Sequence, residues 1–200
     1  MGYAQVQRLG SVPSTQDVAR ELPVGSIVAA DHQTAGRGRL DRRWEAPPGT
    51  ALLVSFVLEP RPLLSLALGV AAAHACGPDV RLKWPNDLLL DGRKLGGILV
   101  ETTPAKAVCG VGINLTWAPE GAAMLGERRD DVLERLCTQV SDWCAASDAA
   151  VLARWRELSA TLGRRIRIDG VEGLAEELGP RGELIVDGRS YVAGSVTHLP

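Results

Sequence analysis

Between Val80 and Asn114 the chain breaks into four short strand-like segments: Val80 to Trp84, Asp87 to Leu90, Lys94 to Glu101 and Ala107 to Asn114. The middle two are joined across Asp91-Gly92, a strong signal for a hairpin turn because both central residues must take positive φ. The core is therefore expected to be a mainly antiparallel or mixed sheet. Upstream, Gly25 to Ala30 reads as a buried strand and Thr50 to Leu58 as a second. Ser14-Thr15-Gln16-Asp17 follows Pro13, so a hydroxyl can cap a short helix over Thr15 to Glu21, with Asp17 at its positive end. Helical spacing recurs over Pro62 to Ala75, Asp131 to Ala145 and Ala149 to Leu162, and Ala118 to Arg129 reads as a loop. This is an α+β pattern. Beyond residue 162, Arg165 to Ile168, Gly182 to Val186 and Arg189 to Val192 are strand-like and lie among Asp169-Gly170 and Asp187-Gly188, which suits a small β-barrel. Two domains are expected, residues 1–162 and 163–200, the second packing on the first because it is too small to hold much core alone.

Composition narrows the function classes. The longest apolar run, Leu63 to Cys76, is interrupted by Ser65, Gly69 and His74 and is too short to span a bilayer. Met1-Gly2-Tyr3-Ala4-Gln5 lacks a basic region followed by an apolar core, so a cytoplasmic protein is expected. Cys76, Cys109, Cys137 and Cys144 have no metal-site spacing and read as small buried hydrophobes. A net charge of -2 and a pI near 5.9 argue against an RNA- or DNA-binding module, since nonspecific nucleic-acid binding needs a broad cationic surface.

Against that near-neutral background, Gln33 to Trp44 concentrates Arg37, Arg39, Arg42 and Arg43 around Gly36 and Gly38. Glycines let backbone N–H groups approach a ligand, and guanidinium forks match carboxylate or phosphate oxygens in pairs. Trp44 adds a flat face for a purine. A solvated turn is the alternative. Lys83-Trp84-Pro85-Asn86-Asp87 gathers a cation, an aromatic, an amide and a carboxylate around a proline, although a strand-end turn would explain its last three residues. Lys94-Leu95-Gly96-Gly97 places a lysine beside two glycines. Lysine occurs only at 83, 94 and 106, beside nineteen arginines, so two of the three fall in these segments; a solvated hairpin lysine is the alternative for Lys94. Gly110-Val111-Gly112-Ile113-Asn114 has glycines where side chains would obstruct a ligand. With no Walker loop and no dinucleotide fingerprint, any nucleotide must bind another way.

Taken in order, Ser14-Thr15, Gln33-x-x-Gly36-Arg37-Gly38-Arg39, Arg42-x-Trp44, Lys83-Trp84-Pro85-Asn86-Asp87, Lys94-x-Gly96-Gly97-Ile98 and Gly110-x-Gly112-x-Asn114 resemble the biotin protein ligase family over nearly the whole chain. The resemblance implies a class II synthetase-like catalytic domain with an SH3-like C-terminal barrel. The few residues before Ser14 leave no room for the DNA-binding domain of bifunctional members, so a monofunctional ligase without DNA binding is expected. It also implies a two-step reaction. Biotin attacks the α-phosphate of ATP, with Mg2+ present, to give biotinyl-5′-AMP, which then acylates a lysine of a biotin carboxyl carrier domain. Lys94 and Arg39 would be catalytic, holding the carboxylate and the attacked phosphate. Ser14, Thr15, Gln16, Gln33, Arg37, Gly38, Arg39, Lys94, Gly96, Gly97 and Gly112 would contact biotin. Arg39, Arg42, Trp44, Asn86 and Asn114 would contact ATP or the adenylate, and Asp87 the metal. A homodimer is compatible with this reading.

Two departures stand out. Gln16 replaces the family's usual asparagine, which moves the amide outward and puts its direct biotin contact in question. Asp41 replaces a usual glycine and can pair with Arg42 or Arg43. Lipoate or octanoate transfer is the nearest rival, because that class shares the fold and a carrier lysine; the Gly-Arg-Gly-Arg, Lys-Trp-Pro-Asn-Asp and Lys-Leu-Gly-Gly set favours biotin. Residues 36–46, rich in like charge and glycine, are expected to be mobile when empty and to close on ligand.

Overall fold

A computed structural model describes residues 6–40 and 42–199, so the proposed Asp41 clamp lies outside the described residues. Seven strands, β1 (Gln7–Val12), β2 (Ile27–Gln33), β3 (Ala51–Leu58), β4 (Arg81–Lys83), β5 (Asp87–Leu90), β6 (Arg93–Thr102) and β7 (Ala107–Asn114), form one sheet in the order β1-β2-β3-β7-β6-β5-β4. β1 lies parallel to β2, and the other neighbours are antiparallel. The sheet is thus mixed, and the fold is α+β as expected. Asp91 and Gly92 both take positive φ, 52° and 72°, as a tight turn between β5 and β6 requires.

The two faces of the sheet are used differently. Because side chains alternate along a strand, Phe56, Val54, Cys109, Val111 and Ile98 face one side and join the main core. There α2 (Leu64–Cys76) is buried nearly all round, between the sheet and helices α3 (Arg129–Ala145) and α4 (Asp148–Leu158). The opposite face packs Val28, Val57 and Val108 against Ala19 of the short helix α1 (Thr15–Arg20). α1 covers only part of that face. The remainder, where β6 and β7 carry glycines, stays open as a cleft.

α1 is fixed at both ends. Ser14 caps its start by accepting the Gln16 N–H, and Lys106 Nζ donates to the Arg20 and Leu22 carbonyls at its end, where a cation also suits the helix dipole. Lys106 therefore supports the segment that carries Ser14, Thr15 and Gln16.

The C-terminal region forms a five-stranded antiparallel sheet in the order β11-β10-β9-β8-β12, from β8 (Arg165–Ile168), β9 (Val171–Leu178), β10 (Leu184–Val186), β11 (Arg189–Tyr191) and β12 (Val196–His198). Its end strands do not pair with each other among the described residues, so the barrel is not closed. Asp169-Gly170 and Asp187-Gly188 are positive-φ turns like Asp91-Gly92. α4 stops at Leu158 rather than running to Leu162. Ser159 Oγ accepts the Thr161 and Leu162 N–H groups, a local bond that competes with the helix, and the chain leaves to donate from Ala160 N to Leu82 O on the edge strand β4.

Thr161 then links the two sheets. Its Oγ1 accepts the Trp84 N–H at 3.1 Å and lies 3.1 Å from His198 Nε2. A hydroxyl carrying one hydrogen can accept from the first and donate to the second only if that imidazole is neutral. Trp84 is buried, and its indole donates to Gly182 O at 3.0 Å. Burial, with Lys83 and Arg164 nearby, pushes the His198 pKa down to about 4. The unfolded chain binds the proton near its ordinary value of about 6.5, so acidification from pH 6.5 towards 4 favours unfolding. Discounted for partial exposure, the loss should be about 1–2 kcal/mol. Urea titrations across that range should show it, and His198→Gln, which keeps an acceptor for Thr161, should flatten the pH dependence.

Candidate active site

The register of the sheet builds the floor of the cleft. Lys83 pairs with Asp87, Asp87 with Gly97, Gly97 with Gly112, and Gly112 with Leu53. These residues form one rung across five strands and share one face. At its middle the two glycines leave a trough, in which the ring of Trp44 lies. A Cβ on Gly112 would come within 2.8 Å of that indole, a distance at which something must shift. The Trp44 Nε1–H is buried without a partner.

The Arg-Gly segment turns back on itself above the trough. Gly38 N donates to Arg42 O at 2.7 Å, Trp44 N donates to Gly36 O at 3.0 Å, and Arg37 bridges Arg43. Gly36 is sterically required, since a Cβ there would meet Trp44 O at 2.4 Å. The four arginines have different settings. Arg37 turns away from the trough to Asp17 at 2.9 Å and Glu101 at 3.5 Å, a pair of carboxylates shared with Arg20, so that only its backbone is left to face a ligand. Arg39 is half-buried and donates to Asn86 Oδ1 at 3.1 Å, while Asn86 Nδ2 donates to Ile98 O at 2.8 Å. Burial lowers the Arg39 pKa, with opposition from Asp87. Arg42 reaches the C-terminal sheet and donates to Ser195 Oγ at 3.0 Å. Arg43 lines the cleft.

At one end of the trough the polar groups are pre-oriented. Gln33 Oε1 accepts from both Thr15 N at 2.7 Å and Thr15 Oγ1 at 2.9 Å. The Thr15 hydrogen being used there, Ser55 donates to Thr15 Oγ1 across 2.8 Å. With its oxygen committed twice, Gln33 presents its NH2 as a donor. Ser14 Oγ accepts from Gln16 N and keeps its own hydrogen. Gln16 is buried over Gly110, and its Nε2 makes long bonds to Leu99 O, Glu101 Oε2 and Val108 O. Its Oε1 has no partner. The amide orientation is decided, because the reverse would set an acceptor against three acceptors.

At the other end, Lys94 Nζ meets Asp87 Oδ1 at 2.6 Å. Asp87 is the one carboxylate among the described cleft-lining residues, whose side-chain cations are Arg39, Arg42, Arg43, Lys83 and Lys94, Arg37 being paired outside the trough. Charge of one sign in a recessed site attracts an anion strongly.

Of the residues expected from sequence, Ser14, Thr15, Gln16, Gln33, Arg37, Gly38, Arg39, Arg42, Trp44, Asn86, Asp87, Lys94, Gly97 and Gly112 all line the cleft. Two do not. Gly96 faces the opposite side of the sheet, where a Cβ would approach Gly112 O at 2.6 Å and the Ile113 and Leu88 side chains; adjacent residues on a strand cannot both face the cleft. Asn114 is buried and donates to Ala123 O at 3.0 Å, anchoring the loop after β7. The sequence reading also missed Gly194, Ser195 and Val196, which close the cleft from the C-terminal sheet; nothing in that short polar stretch marks it. No group of three His, Cys, Asp or Glu able to hold a metal occurs among the described residues.

Comparison with known proteins agrees with this geometry. The sequence profile of the biotin/lipoate A/B protein ligase family matches residues 7–116. The biotin–[acetyl-CoA-carboxylase] ligase of Mycobacterium tuberculosis is 34% identical over 88% of this chain and 79% of its own. That of Paracoccus denitrificans is 34% identical over 90% and 93%. Among solved structures, the Aquifex aeolicus biotin protein ligase in complex with biotin and ATP superposes with a TM-score of 0.86 at 26% identity, covering 98% of this chain and 99% of that one. With half of its length matched by the profile and a relative of this similarity aligned nearly end to end, the chain belongs to the biotin/lipoate A/B protein ligase family.

Proposed function

We propose that this protein activates biotin with ATP to form biotinyl-5′-AMP and transfers the biotinyl group to a lysine of a biotin carboxyl carrier domain. One observation carries the reading: a trough walled by glycines and an indole runs from a cluster of pre-oriented hydrogen-bond donors to a cluster of cations. The donor end suits a ureido carbonyl, which Gln33 Nε2, Ser14 Oγ and loop N–H groups can reach. The dithiolane of lipoate offers nothing for those groups to bond, and leaving buried polar groups unpaired is costly. That difference favours biotin over the nearest rival within the family.

The chemistry follows from charge. A carboxylate approaching a triphosphate is repelled, and cations fixed around both reactants lower that barrier without reorganising in the transition state. Lys94 and Arg39 serve the carboxylate and the attacked phosphate, Arg42 serves further phosphate oxygens, and Trp44 covers the adenine. Asp87 fits Mg2+ in one way only. A single carboxylate supplies too few ligands for a resident ion, but it suits Mg2+ that arrives on the nucleotide and keeps much of its water. Bound so, the ion neutralises phosphate charge. Residues 1–162 would carry the reaction, and residues 163–200 would close the cleft through Ser195. Gly96 and Asn114 shape the floor from behind rather than touch substrate. The four free thiols suit the reducing cytosol.

Biotin-dependent exchange of pyrophosphate into ATP tests the first half-reaction. It should occur with biotin and not with lipoate or octanoate; equal exchange with lipoate would overturn the assignment. Lys94→Ala should lower that rate by roughly 100-fold or more, the scale of one lost electrostatic stabiliser. Arg189→Ala, on the far edge of the C-terminal sheet, is the matched control, Lys106 being unsuitable because it caps α1.

Loop closure is a separate expectation. Few backbone bonds hold the described residues between 36 and 44, and their guanidinium groups repel one another until phosphate arrives. Amide hydrogen exchange over residues 36–46 should slow strongly with biotinyl-5′-AMP and less with biotin alone. Full protection in the empty protein would refute this.

A further inference from the structure

The structure accounts for two of the chain's three lysines. Lys94 pairs with Asp87, and Lys106 caps α1. Lys83 is half-buried at the end of β4 and lines the cleft, and its side chain makes no hydrogen bond or ion pair among the described residues. Asp87, its partner in the register, has turned to Lys94 instead. Burial lowers the Lys83 pKa; Asp87 opposes this, and Lys94 and Arg42 add to it. The neighbouring His198 is held neutral and supplies no counter-charge. A partly desolvated ammonium among other cations, with no carboxylate paired to it, is held at some cost to the fold. Local rules of this kind are broken chiefly where function needs it.

Position says which anion is missing. Along the rung, Lys83 stands one strand beyond Asp87 and two beyond Gly97, about 5 Å and about 10 Å at ordinary strand spacing. The carboxylate and attacked phosphate belong beside Lys94 and Arg39, on the trough side of Asp87. A group further along the same line, away from the trough, is what leaves that phosphate. On the reading that this site joins biotin to ATP, we infer that Lys83 holds the departing pyrophosphate. In that step a biotin carboxylate oxygen forms a bond to the α-phosphorus. The bond from the α-phosphorus to the bridging oxygen breaks, and its electron pair leaves on pyrophosphate. No proton moves. Lys83 meets the charge gathering on the leaving group, as Lys94 meets it at the reacting centre.

The inference separates the two half-reactions. The second contains no pyrophosphate, so a residue serving the leaving group should matter only to the first. In Lys83→Met, which keeps length and removes charge, the KM for pyrophosphate in the exchange reaction should rise roughly 10-fold or more and adenylation should slow by a similar factor. Acylation of the carrier by preformed biotinyl-5′-AMP should change by less than about 2-fold. Lys83→Arg should recover much of the loss. Thermal stability of Lys83→Met should be unchanged or higher, because a half-buried cation that repels Lys94 and Arg42 is gone. An unchanged KM for pyrophosphate, an equal loss in both half-reactions, or a fall in melting temperature would each overturn the inference. Failure of the parent reading looks different: the wild-type protein would then show no biotin-dependent exchange at all.

Discussion

The pairing of β6 with β7 is the constraint on which the site depends. It sets Gly97 opposite Gly112 on the face that α1 leaves open. A one-residue slip of either strand would send a core side chain into the trough and a glycine into the core. Ile98 and Val111, the next pair along, are buried on the far side against the helices, so the main core enforces the register that the cleft needs. Stability and function thus rest on the same alternation. Gly96 belongs to this argument too: it permits the close approach of β6 to the Gly112 carbonyl without touching the cleft.

Charge is distributed with a similar division of labour. Most ion pairs lie at the surface, among them Arg8–Asp130, Arg167–Glu172 and Arg154–Glu157, where each contributes little. In the cleft the balance is deliberately incomplete. Arg37 is neutralised by Asp17 and Glu101, which anchors the start of the loop. Among the described cleft-lining residues, Arg39, Arg42, Arg43, Lys83 and Lys94 have Asp87 as their one carboxylate, and it pairs with Lys94. The repulsion is a standing cost, and a polyanion relieves it. Binding energy is thereby tied to the one class of ligand whose reaction the site must promote.

The sequence was most legible where backbone geometry demands a residue type. The three Asp-Gly turns were readable because positive φ at both positions admits few alternatives. β5 and β7 were located to the residue, being apolar runs between turn signals. β1 and β9 were not legible. β1 is an exposed edge whose Gln-Arg-Leu-Gly-Ser-Val carries no apolar alternation. In β9 the glutamates of Val-Glu-Gly-Leu-Ala-Glu-Glu-Leu read as well for helix as for strand, and burial of Gly173, Ala175 and Leu178 decides only after folding. The site was legible as a set of residue types but not as directions. That Arg37 turns away, that Asn114 serves a loop, and that Ser195 arrives from the C-terminal sheet are facts of tertiary structure with no local signature.

The C-terminal sheet gains its meaning from that last contact. Trp84, at the turn that delivers Asn86 and Asp87, is held by Thr161 from one side and Gly182 from another, and Thr161 is held by His198. The turn is therefore fixed by residues far along the chain. Arg42 extends the same connection upward, from the loop to Ser195, whose own N–H is fixed by Asp169. Floor and roof of the cleft are thus tied to one small sheet. The exposed hydrogen bond from Arg42 to Ser195 can be released cheaply, since such a bond is worth about 1 kcal/mol. The buried bonds beneath Trp84 cannot be released so cheaply, because breaking them leaves polar groups unpaired away from water. The turn that carries Asn86 and Asp87 is accordingly the more firmly held of the two, and the contact of Arg42 with Ser195 the weaker.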